Sequence, residues 1–499
     1  MKITTLFIAA FVLVGCSASK QSFSPNRKFS SDQLKKDYTL FREILEDAHP
    51  SLYWYTPKDS MDYYFDDGYR RINDSMTEPQ FRTLLSYVIA RLNCGHTSTR
   101  YSKQYSSFIE RAKLRVFPVS VKIWEDTMVV AANLNRRDSI LKRGTVILSI
   151  NGRSQKEIVD SLSKFLASDG YNAIARYQQL SNRGNFGTWY RNVYGLSDKF
   201  TIEYLDSNGN RATTVVPVYD PTKDTGARPA PRQPQIKLTK KQIRRQQLFA
   251  TRNLQIDTLM STGFMTLSSF SRGNYLAQFF KKSFKALRKN NVRHLVIDVR
   301  SNGGGDAGLS TLLTRYLTDH SFKIGDSLYA IRRSTKYGSF IQKQWLYWLA
   351  MKFVTHKKVD GNFHFGYFER HVFDPIKLNH FDGDVYILTG GNSFSATTLF
   401  AGELKGQKNV TIVGEETGGA AYGNTAWMIP EVRLPNTGMG FRLPKFRLVI
   451  NKNAPKDGHG ILPDVIAGPS VSAIKNGVDY KVEKVRSMIE EKNSERAKQ

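Results

Sequence analysis

The residues best suited to chemistry are a serine, a histidine and two glycine-rich loops that lie far apart in the sequence. Ser395 lies in the loop Gly390–Thr398, between the apolar run Val385–Leu388 and a helical pattern over Leu399–Lys405. A hydroxyl at a helix start meets free N–H groups and the positive end of the helix dipole, which favour a developing oxyanion. The same position suits a helix cap, so this segment alone leaves both a nucleophile and a cap open.

A second glycine loop follows another short apolar strand pattern, Leu295–Val299. It reads R-S-N-G-G-G-D from Arg300 to Asp306 and leads into the apolar-periodic segment Leu309–Leu317. Consecutive glycines let backbone N–H groups approach a ligand closely, which suits an oxyanion hole or a phosphate cradle. The loop has neither the P-loop lysine nor the spaced glycines of a dinucleotide site, so the pattern disfavours nucleotide binding.

The histidine candidate is His96, which follows an amphipathic helical pattern running from Phe81 to Leu92. Imidazole titrates near neutral pH, so it can take a proton from a serine hydroxyl and return it to a leaving amine. A histidine just past a helix end can also be purely structural. Cys94 is a second possible nucleophile, which ranks below Ser395 because no glycine turn or helix start follows it.

Together these segments resemble the tail-specific, or carboxy-terminal processing, serine peptidase family, in the branch with the tricorn core and retinoid-binding-protein-like modules. The matching boxes are, in order, C-G-H-T, D-V-R-S-N-G-G-G, N-S-F-S-A with V-G-E-E-T-G-G after it, and H-G-I-L-P-D-V. The resemblance covers most of the chain and implies a serine-type peptidase without a cofactor. It implies that Ser395 is the nucleophile, that His96 is the base, and that the backbone N–H groups of Gly304 and Ala396 bind the oxyanion.

The acidic partner of the histidine is the remaining site residue that the resemblance implies. The family's carboxylate falls on Asp457, and its competitors are Glu415, Glu416 and Asp464. Such a carboxylate would orient the imidazole ring and stabilise its positive charge.

Three positions depart from the family's pattern. Ala420 stands where the processing branch has a lysine base, which excludes the Ser/Lys version of the chemistry. Gly95 stands where the tricorn core has a serine, and Thr398 where the processing branch tends to have glutamate. These departures are compatible with a tuned or weakened site.

The elements around these motifs predict a multi-domain α+β fold: a helical N-terminal domain, a PDZ-like β domain, and an α/β (ClpP/crotonase-like) catalytic domain of repeated strand-turn-helix units. Capping-box patterns at Ser30 and Thr77 mark two N-terminal helices. The expected segments are a signal peptide over 1–15, a tether over 16–28, the helical domain over 29–113, the PDZ-like domain over 114–220, a basic flexible linker over 221–253, the catalytic domain over 254–470, and a charged C-terminal tail, expected as a surface helix, over 471–499.

The PDZ-like prediction depends on one stretch, Lys142–Gly152, within a region of short strands. PDZ domains bind extended peptide ends by adding a strand to a sheet edge. A helical insertion around residues 161–191 departs from a minimal PDZ domain, so a purely structural β module remains an alternative.

The N-terminus has the pattern of an export signal. Lys2 precedes the apolar run Leu6–Val14, and L-V-G-C, which ends at Cys16, looks like a bacterial lipobox. It implies cleavage before Cys16 and lipidation of its sulfur, although an ordinary secreted protein is the alternative. Only Cys94 then remains, so the mature chain would have no intrachain disulfide.

The formal charge of +29 over 499 residues raises nucleic acid as a partner. Lysine and arginine are scattered and no nucleic-acid motif is present, so we expect attraction to anionic lipid or envelope polymers instead. The nine histidines have no paired metal-ligand spacing, so no metal is expected.

The sequence therefore predicts a serine endopeptidase that is lipid-anchored in a bacterial envelope, faces the periplasm or exterior, and cleaves envelope or imported polypeptides. One alternative is a noncatalytic peptide-binding or scaffold lipoprotein that retains the peptidase fold. Another is a binder of anionic polymers that uses the basic linker.

Overall fold

The computed structural model describes residues 23–223 and 238–498, which form a mixed α/β fold with several hydrophobic cores. The predicted signal peptide, Cys16, most of the tether and residues 224–237 of the linker lie outside the described residues. Within the described ranges, no helix combines the length and the apolar character needed to cross a membrane.

The N-terminal part is helical, and its two longest helices begin where the capping patterns predict. Ser30 and Gln33 form a capping box at the first helix, and Thr77 and Gln80 form one at the third. The elements are β1 (Lys28–Phe29), α1 (Ser31–Ala48), α2 (Lys58–Arg70), β2 (Met76–Thr77), α3 (Glu78–Arg91), β3 (Thr99–Arg100) and α4 (Lys103–Arg111).

The middle part combines a two-stranded and a four-stranded antiparallel sheet with three helices, around one shared core. Two of the three helices lie in the region around residues 161–191 where the sequence indicates an insertion, and most of the first lies before it. The elements are β4 (Val119–Trp124), β5 (Thr127–Asn133), β6 (Ile147–Ile150), β7 (Arg153–Ser154), α5 (Gln155–Ser163), α6 (Ala173–Ser181), α7 (Asn185–Tyr194), β8 (Lys199–Leu205) and β9 (Arg211–Pro217).

The predicted flexible linker is in part an ordered helix, α8 (Lys240–Thr251). Thr239 and Gln242 form a capping box at its start, and lysine, arginine and glutamine have good helix propensity. The prediction failed here because strong polarity keeps a segment out of a core without preventing a helix. None of the α8 side chains is fully buried.

The C-terminal part centres on a six-stranded sheet of order β10-β11-β12-β16-β17-β22, parallel except for the first pair. Its central strands are almost wholly apolar because helices cover both faces. The sheet elements and their helices are β10 (Arg252–Asp257), β11 (Thr262–Leu267), α9 (Leu276–Lys289), β12 (His294–Asp298), α10 (Ala307–Arg315), β16 (Asp384–Thr389), α13 (Ala396–Leu404), β17 (Val410–Gly414) and β22 (Val465–Ile466).

An arm of short strands and two helices extends from this sheet. Its elements are β13 (Ser327–Ala330), α11 (Gln344–Val354), β14 (His356–Lys357), β15 (Phe363–His364), α12 (Gly366–Arg370), β18 (Gly423–Asn424), β19 (Glu431–Arg433), β20 (Gly440–Arg442) and β21 (Arg447–Val449). Strand β3 pairs antiparallel with β20, so the N-terminal part continues the sheet of the arm.

A buried carboxylate adds to this seam between α1 and the arm. Asp37 is fully buried and accepts hydrogen bonds from the backbone and side chains of Asn436 and Thr437. One hydrophobic core contains residues from α1 to α3 together with Val432, Phe441 and Leu443. The two distant stretches of sequence therefore form one packed unit.

The charged tail is not only a surface helix. It folds as α14 (Val471–Asn476) and α15 (Tyr480–Lys498), and Val485 and Ile489 of α15 are buried against the main sheet. Lys481 is buried as well and forms an ion pair with Glu415 at 2.8 Å. Because charged residues predominate in the tail, its few apolar residues were not recognised as a buried face.

Candidate active site

Ser395 lies at the junction between β16 and α13, in a backbone conformation that side chains rarely adopt. Its φ is +60° and its ψ is −120°. It occupies the N-cap position, but its side chain makes no capping hydrogen bond. Its Oγ lies 3.0 Å from Nε2 of His96 instead, across 299 residues of sequence. The cap alternative therefore does not describe this hydroxyl.

His96 is held between the end of α3 and strand β3. Asn93 takes the left-handed conformation, with φ of +51°, and turns the chain after the helix. The imidazole is almost fully buried, and its ring centroid lies 4.5 Å from that of Phe394. Burial lowers the pKa of His96 to about 3, and the positive charge of Arg442 acts in the same direction. The ring is therefore neutral at physiological pH and able to accept a proton.

The structure does not bring Asp457 to His96. Asp457 is exposed, and its carboxylate accepts a hydrogen bond from the backbone N–H of His459. The carboxylate beside the imidazole belongs to Asp169, whose Oδ1 lies 3.9 Å from Nδ1 of His96. The assignment failed because a family position in a surface loop was carried over, and that loop leaves its side chain in solvent.

Asp169 is a buried carboxylate held by the backbone around the site. Its Oδ1 accepts the N–H of Gly95 at 2.7 Å. Burial raises the pKa of Asp169 to about 7, although the N–H groups of Gly95 and Ala420 favour the ionised form. Its Oδ2 and Nδ1 of His96 are both buried without a hydrogen-bond partner among the described residues. At 3.9 Å the two groups are close but not hydrogen-bonded.

Sequence reasoning missed Asp169 because no motif marks it. It lies between α5 and α6, in the segment that departs from the expected PDZ pattern, and Asp169-Gly170 reads as an ordinary turn. The other acidic candidates have partners elsewhere: Glu415 with Lys481, Glu416 with Gly460 and Asn172, and Asp464 with Lys405 and Ile412.

The two predicted oxyanion donors differ in availability. Ala396 is the first residue of α13, where a backbone N–H has no partner within the helix. The N–H of Gly304 is occupied, because it donates to Oδ1 of Asn302 at 2.9 Å. A Cβ added to Gly304 would lie 2.7 Å from Cβ of Ser395, so this glycine packs directly against the serine. The hole is therefore in position but partly filled by a protein side chain.

The departures from the family pattern have physical reasons. A Cβ at Gly95 would lie 2.7 Å from the ring of Phe394, so the serine of the tricorn core has no room here. Ala420 is buried, and its backbone N–H favours the ionised form of Asp169. Thr398 is buried too, and packs closely enough on Gly419 that a Cβ there would lie 2.4 Å from its Oγ1.

Cys94 is not a competing nucleophile in this structure. Its side chain is buried, and burial raises the pKa of the thiol to about 11. The reactive form of cysteine is the thiolate, which this environment suppresses. Within residues 23–223 and 238–498, no cluster of three or more His, Cys, Asp or Glu side chains could hold a metal ion.

Comparison with known proteins identifies the family of the part of the chain that contains Ser395. The family model described as "Peptidase family S41" matches residues 261–467, which include Ser395 and both glycine loops. This part of the chain belongs to peptidase family S41. The predicted membership of the tail-specific protease family is confirmed, and the chain is a serine-type peptidase, a hydrolase that acts on polypeptides.

Two solved structures share the overall fold with this S41 protein. Mature CPAF is 15% identical with a TM-score of 0.61, and the match covers 91% of this chain and 96% of that one. Mature CPAF complexed with lactacystin is 14% identical with a TM-score of 0.61, with 92% and 98% covered. At these identities the likeness concerns the fold alone. No curated protein matches the sequence.

Proposed function

We propose that the chain is a serine endopeptidase in which Ser395 is the nucleophile, His96 the general base and Asp169 the carboxylate that orients the base. The observation that carries this proposal is the 3.0 Å contact between Nε2 of His96 and Oγ of Ser395. The segments of His96 and Ser395 belong to different hydrophobic cores and meet at this site.

The proposed reaction begins with proton transfer from Oγ of Ser395 to Nε2 of His96 as Oγ attacks the peptide carbonyl carbon. The negative charge on the carbonyl oxygen is received by the N–H of Ala396. The N–H of Gly304 joins it once the side chain of Asn302 releases it. His96 then gives the proton to the leaving amine, and water hydrolyses the resulting ester by the same steps.

Asp169 has two roles in this scheme. In its ionised form it accepts the Nδ1–H of His96, which fixes the ring so that Nε2 faces the serine. It also stabilises the imidazolium that forms when the serine proton is transferred. The side chain needs to move by about 1 Å to make this hydrogen bond, because the present separation is 3.9 Å.

A noncatalytic peptide-binding protein remains the second candidate, and two observations favour it. The N–H of Gly304 is occupied by Asn302, and Asp169 is not hydrogen-bonded to His96. Both features are those of an incomplete site. A peptide that binds at Ser395 would have to displace the side chain of Asn302 before the N–H of Gly304 could bind an oxyanion, and a scaffold protein would not need this step.

Turnover of a peptide library by the full chain separates the two candidates. We expect cleavage by the wild type and a loss of at least about a thousandfold in Ser395→Ala and in His96→Ala, with unchanged circular dichroism. A fluorophosphonate probe should label Ser395 in the wild type only. Wild-type turnover by either alanine variant, or the absence of both cleavage and labelling, would contradict the peptidase proposal.

The remaining parts of the proposal concern location and organisation. The L-V-G-C sequence supports lipid attachment at Cys16 and an envelope location, with envelope or imported polypeptides as substrates. The four-stranded sheet that includes β6 supports a PDZ-like module over residues 114–220. Radiolabelled palmitate incorporation that is lost in Cys16→Ser tests the anchor, and retention of the label in that variant would exclude it.

A further inference from the structure

Helix α11 turns its apolar face to solvent. Trp345, Trp348, Leu349 and Phe353 follow the three- and four-residue spacing that places side chains on one helix face. Their exposed fractions are 66%, 41%, 40% and 75%, and Leu346 beside them is 42% exposed. An exposed apolar stripe of this size usually marks an interaction surface.

The opposite side of α11 fixes the helix to the protein. Met351 is fully buried in a small core with Leu328 and Phe446, and Leu399 of α13 packs against the same core. The exposed aromatic residues therefore belong to a helix held by a core of its own, not to a loose segment. The apolar stripe is therefore held in a fixed position at the surface.

The sequence around α11 has an excess of positive charge. Residues 331–359 contain seven lysines or arginines and no aspartate or glutamate. Arg332 and Lys358 pair with carboxylates, and Arg333 donates to Thr355. The other four cations are exposed and have no carboxylate partner within the described part of the chain: Lys336, Lys343, Lys352 and Lys357.

We propose that α11 is an interfacial helix that docks the protein on an anionic lipid surface. A helix with tryptophan, phenylalanine and leucine on one face and lysines around it has the pattern of such helices. Nζ of Lys352 lies over the ring of Trp348, 5.4 Å from its centroid, so a positive charge lies directly beside the apolar face.

The dimensions of α11 determine how it would lie. Eleven residues form a helix of about 16 Å, about half the thickness of the hydrocarbon core of a bilayer. The helix therefore rests in the plane of the interface and does not span it. Its aromatic side chains reach the boundary between headgroups and acyl chains, where tryptophan is enriched in membrane proteins.

Charge also decides between a bilayer and a second copy of this chain as the occupant. Two copies related by a twofold axis would bring their lysine rims against each other, at a repulsive cost. Anionic headgroups neutralise the same four lysines, each of which contributes about fivefold in affinity. The bilayer is the partner that matches both the apolar stripe and its rim.

The test uses the full chain with Cys16→Ser, so that no acyl chain can be attached at that position. Flotation with vesicles of phosphatidylglycerol and phosphatidylcholine is compared with flotation with phosphatidylcholine alone. The variant Trp345→Gln/Trp348→Gln/Phe353→Gln should bind the anionic vesicles at least about tenfold more weakly. A matched control, Leu259→Gln/Leu378→Gln/Ile466→Gln, removes three exposed apolar side chains elsewhere and should bind like its parent.

A second pair of variants tests the lysine rim. Lys343→Gln/Lys352→Gln/Lys357→Gln should lose at least about tenfold in binding to anionic vesicles. The control Lys281→Gln/Lys282→Gln/Lys285→Gln, with the same change in charge on α9, should lose much less. Equal losses in the two variants would mean that the total charge binds the lipid, and would overturn the proposal.

Depth of insertion gives a readout that binding alone cannot provide. Brominated lipids should quench part of the tryptophan emission of the parent, and this part should vanish in Trp345→Phe/Trp348→Phe, which keeps an apolar face. Binding by the Gln triple variant equal to that of its parent would refute docking by α11. A change from dimer to monomer in sedimentation with unchanged flotation would assign the stripe to self-association instead.

Discussion

Replacement of Asp169 with asparagine tests the active site most directly, because it should separate activity from stability. Burial raises the pKa of this carboxyl from 3.8 to about 7, which corresponds to about 4 kcal/mol. Unfolded chains release the Asp169 proton near pH 4 and folded chains near pH 7, so the folded state binds more protons between these values. Its stability therefore falls by about 4 kcal/mol across this window and stays constant above it.

Asparagine cannot ionise and avoids this loss, while its Oδ1 can still accept the N–H of Gly95. Its amide nitrogen takes the place of Oδ2, which has no partner, at a cost of about 1–3 kcal/mol. We therefore expect Asp169→Asn to be about 1–3 kcal/mol more stable than the wild type at pH 8 and no more stable at pH 5. The midpoint of urea unfolding at the two pH values measures this difference.

Activity should move in the opposite direction. The asparagine side chain carries no charge, so it cannot stabilise the imidazolium that forms when His96 takes the proton of Ser395. We expect kcat to fall by about a hundredfold to ten-thousandfold with little change in KM. The activity of the wild type should rise as pH increases through about 7, where Asp169 ionises, and the activity of the variant should not show this rise.

Asp457→Asn is the matched control, since it makes the same chemical change on an exposed carboxylate. It should leave both kcat and the unfolding midpoint close to those of the wild type. Full activity in Asp169→Asn, or a large loss confined to Asp457→Asn, would refute the assignment of Asp169.

Three further substitutions test the framework of the site. Gly95→Ser should lower kcat at least about tenfold, because the added side chain pushes Phe394 against the imidazole of His96. Unchanged kcat and KM would show that the Phe394 ring can move away without disturbing His96. Asp37→Ala should lower the free energy of unfolding by about 3–5 kcal/mol, because it leaves the hydrogen-bond donors of Asn436 and Thr437 buried without an acceptor. Thermal or urea unfolding measures this loss. A loss below about 1 kcal/mol would mean that Asp37 does not hold α1 to the arm. Cys94→Ala should keep peptide turnover within about threefold of the wild type, and abolished turnover with Ser395 still labelled by the probe would reopen the thiol as the nucleophile.

The sequence contained the central pair but not its orienting carboxylate. Ser395 and His96 are marked by glycine turns and by helix ends, which are local signals that a single sequence records. Asp169 becomes a site residue only through burial and through contact with Gly95, seventy-four positions away. No periodicity or turn signal encodes such a contact.

Helix starts were predictable for the same reason, since a capping box needs only four consecutive residues. Ser30 and Thr77 cap their helices as expected. The fate of the charged segments was not predictable in this way. Helix α8 stays exposed and α15 buries Val485, although both segments are rich in lysine and glutamate or glutamine. The difference is that α15 packs against a face of the six-stranded sheet, whereas no side chain of α8 is buried.

The pairing of β3 with β20 has a consequence for the newborn polypeptide. His96 is only three positions from Thr99, which pairs with Phe441, so its placement depends on a strand near the other end of the chain. The ribosome synthesises that strand after Ser395. A nascent chain that ends between Ser395 and β20 therefore contains both reactive groups but lacks the strand that positions His96.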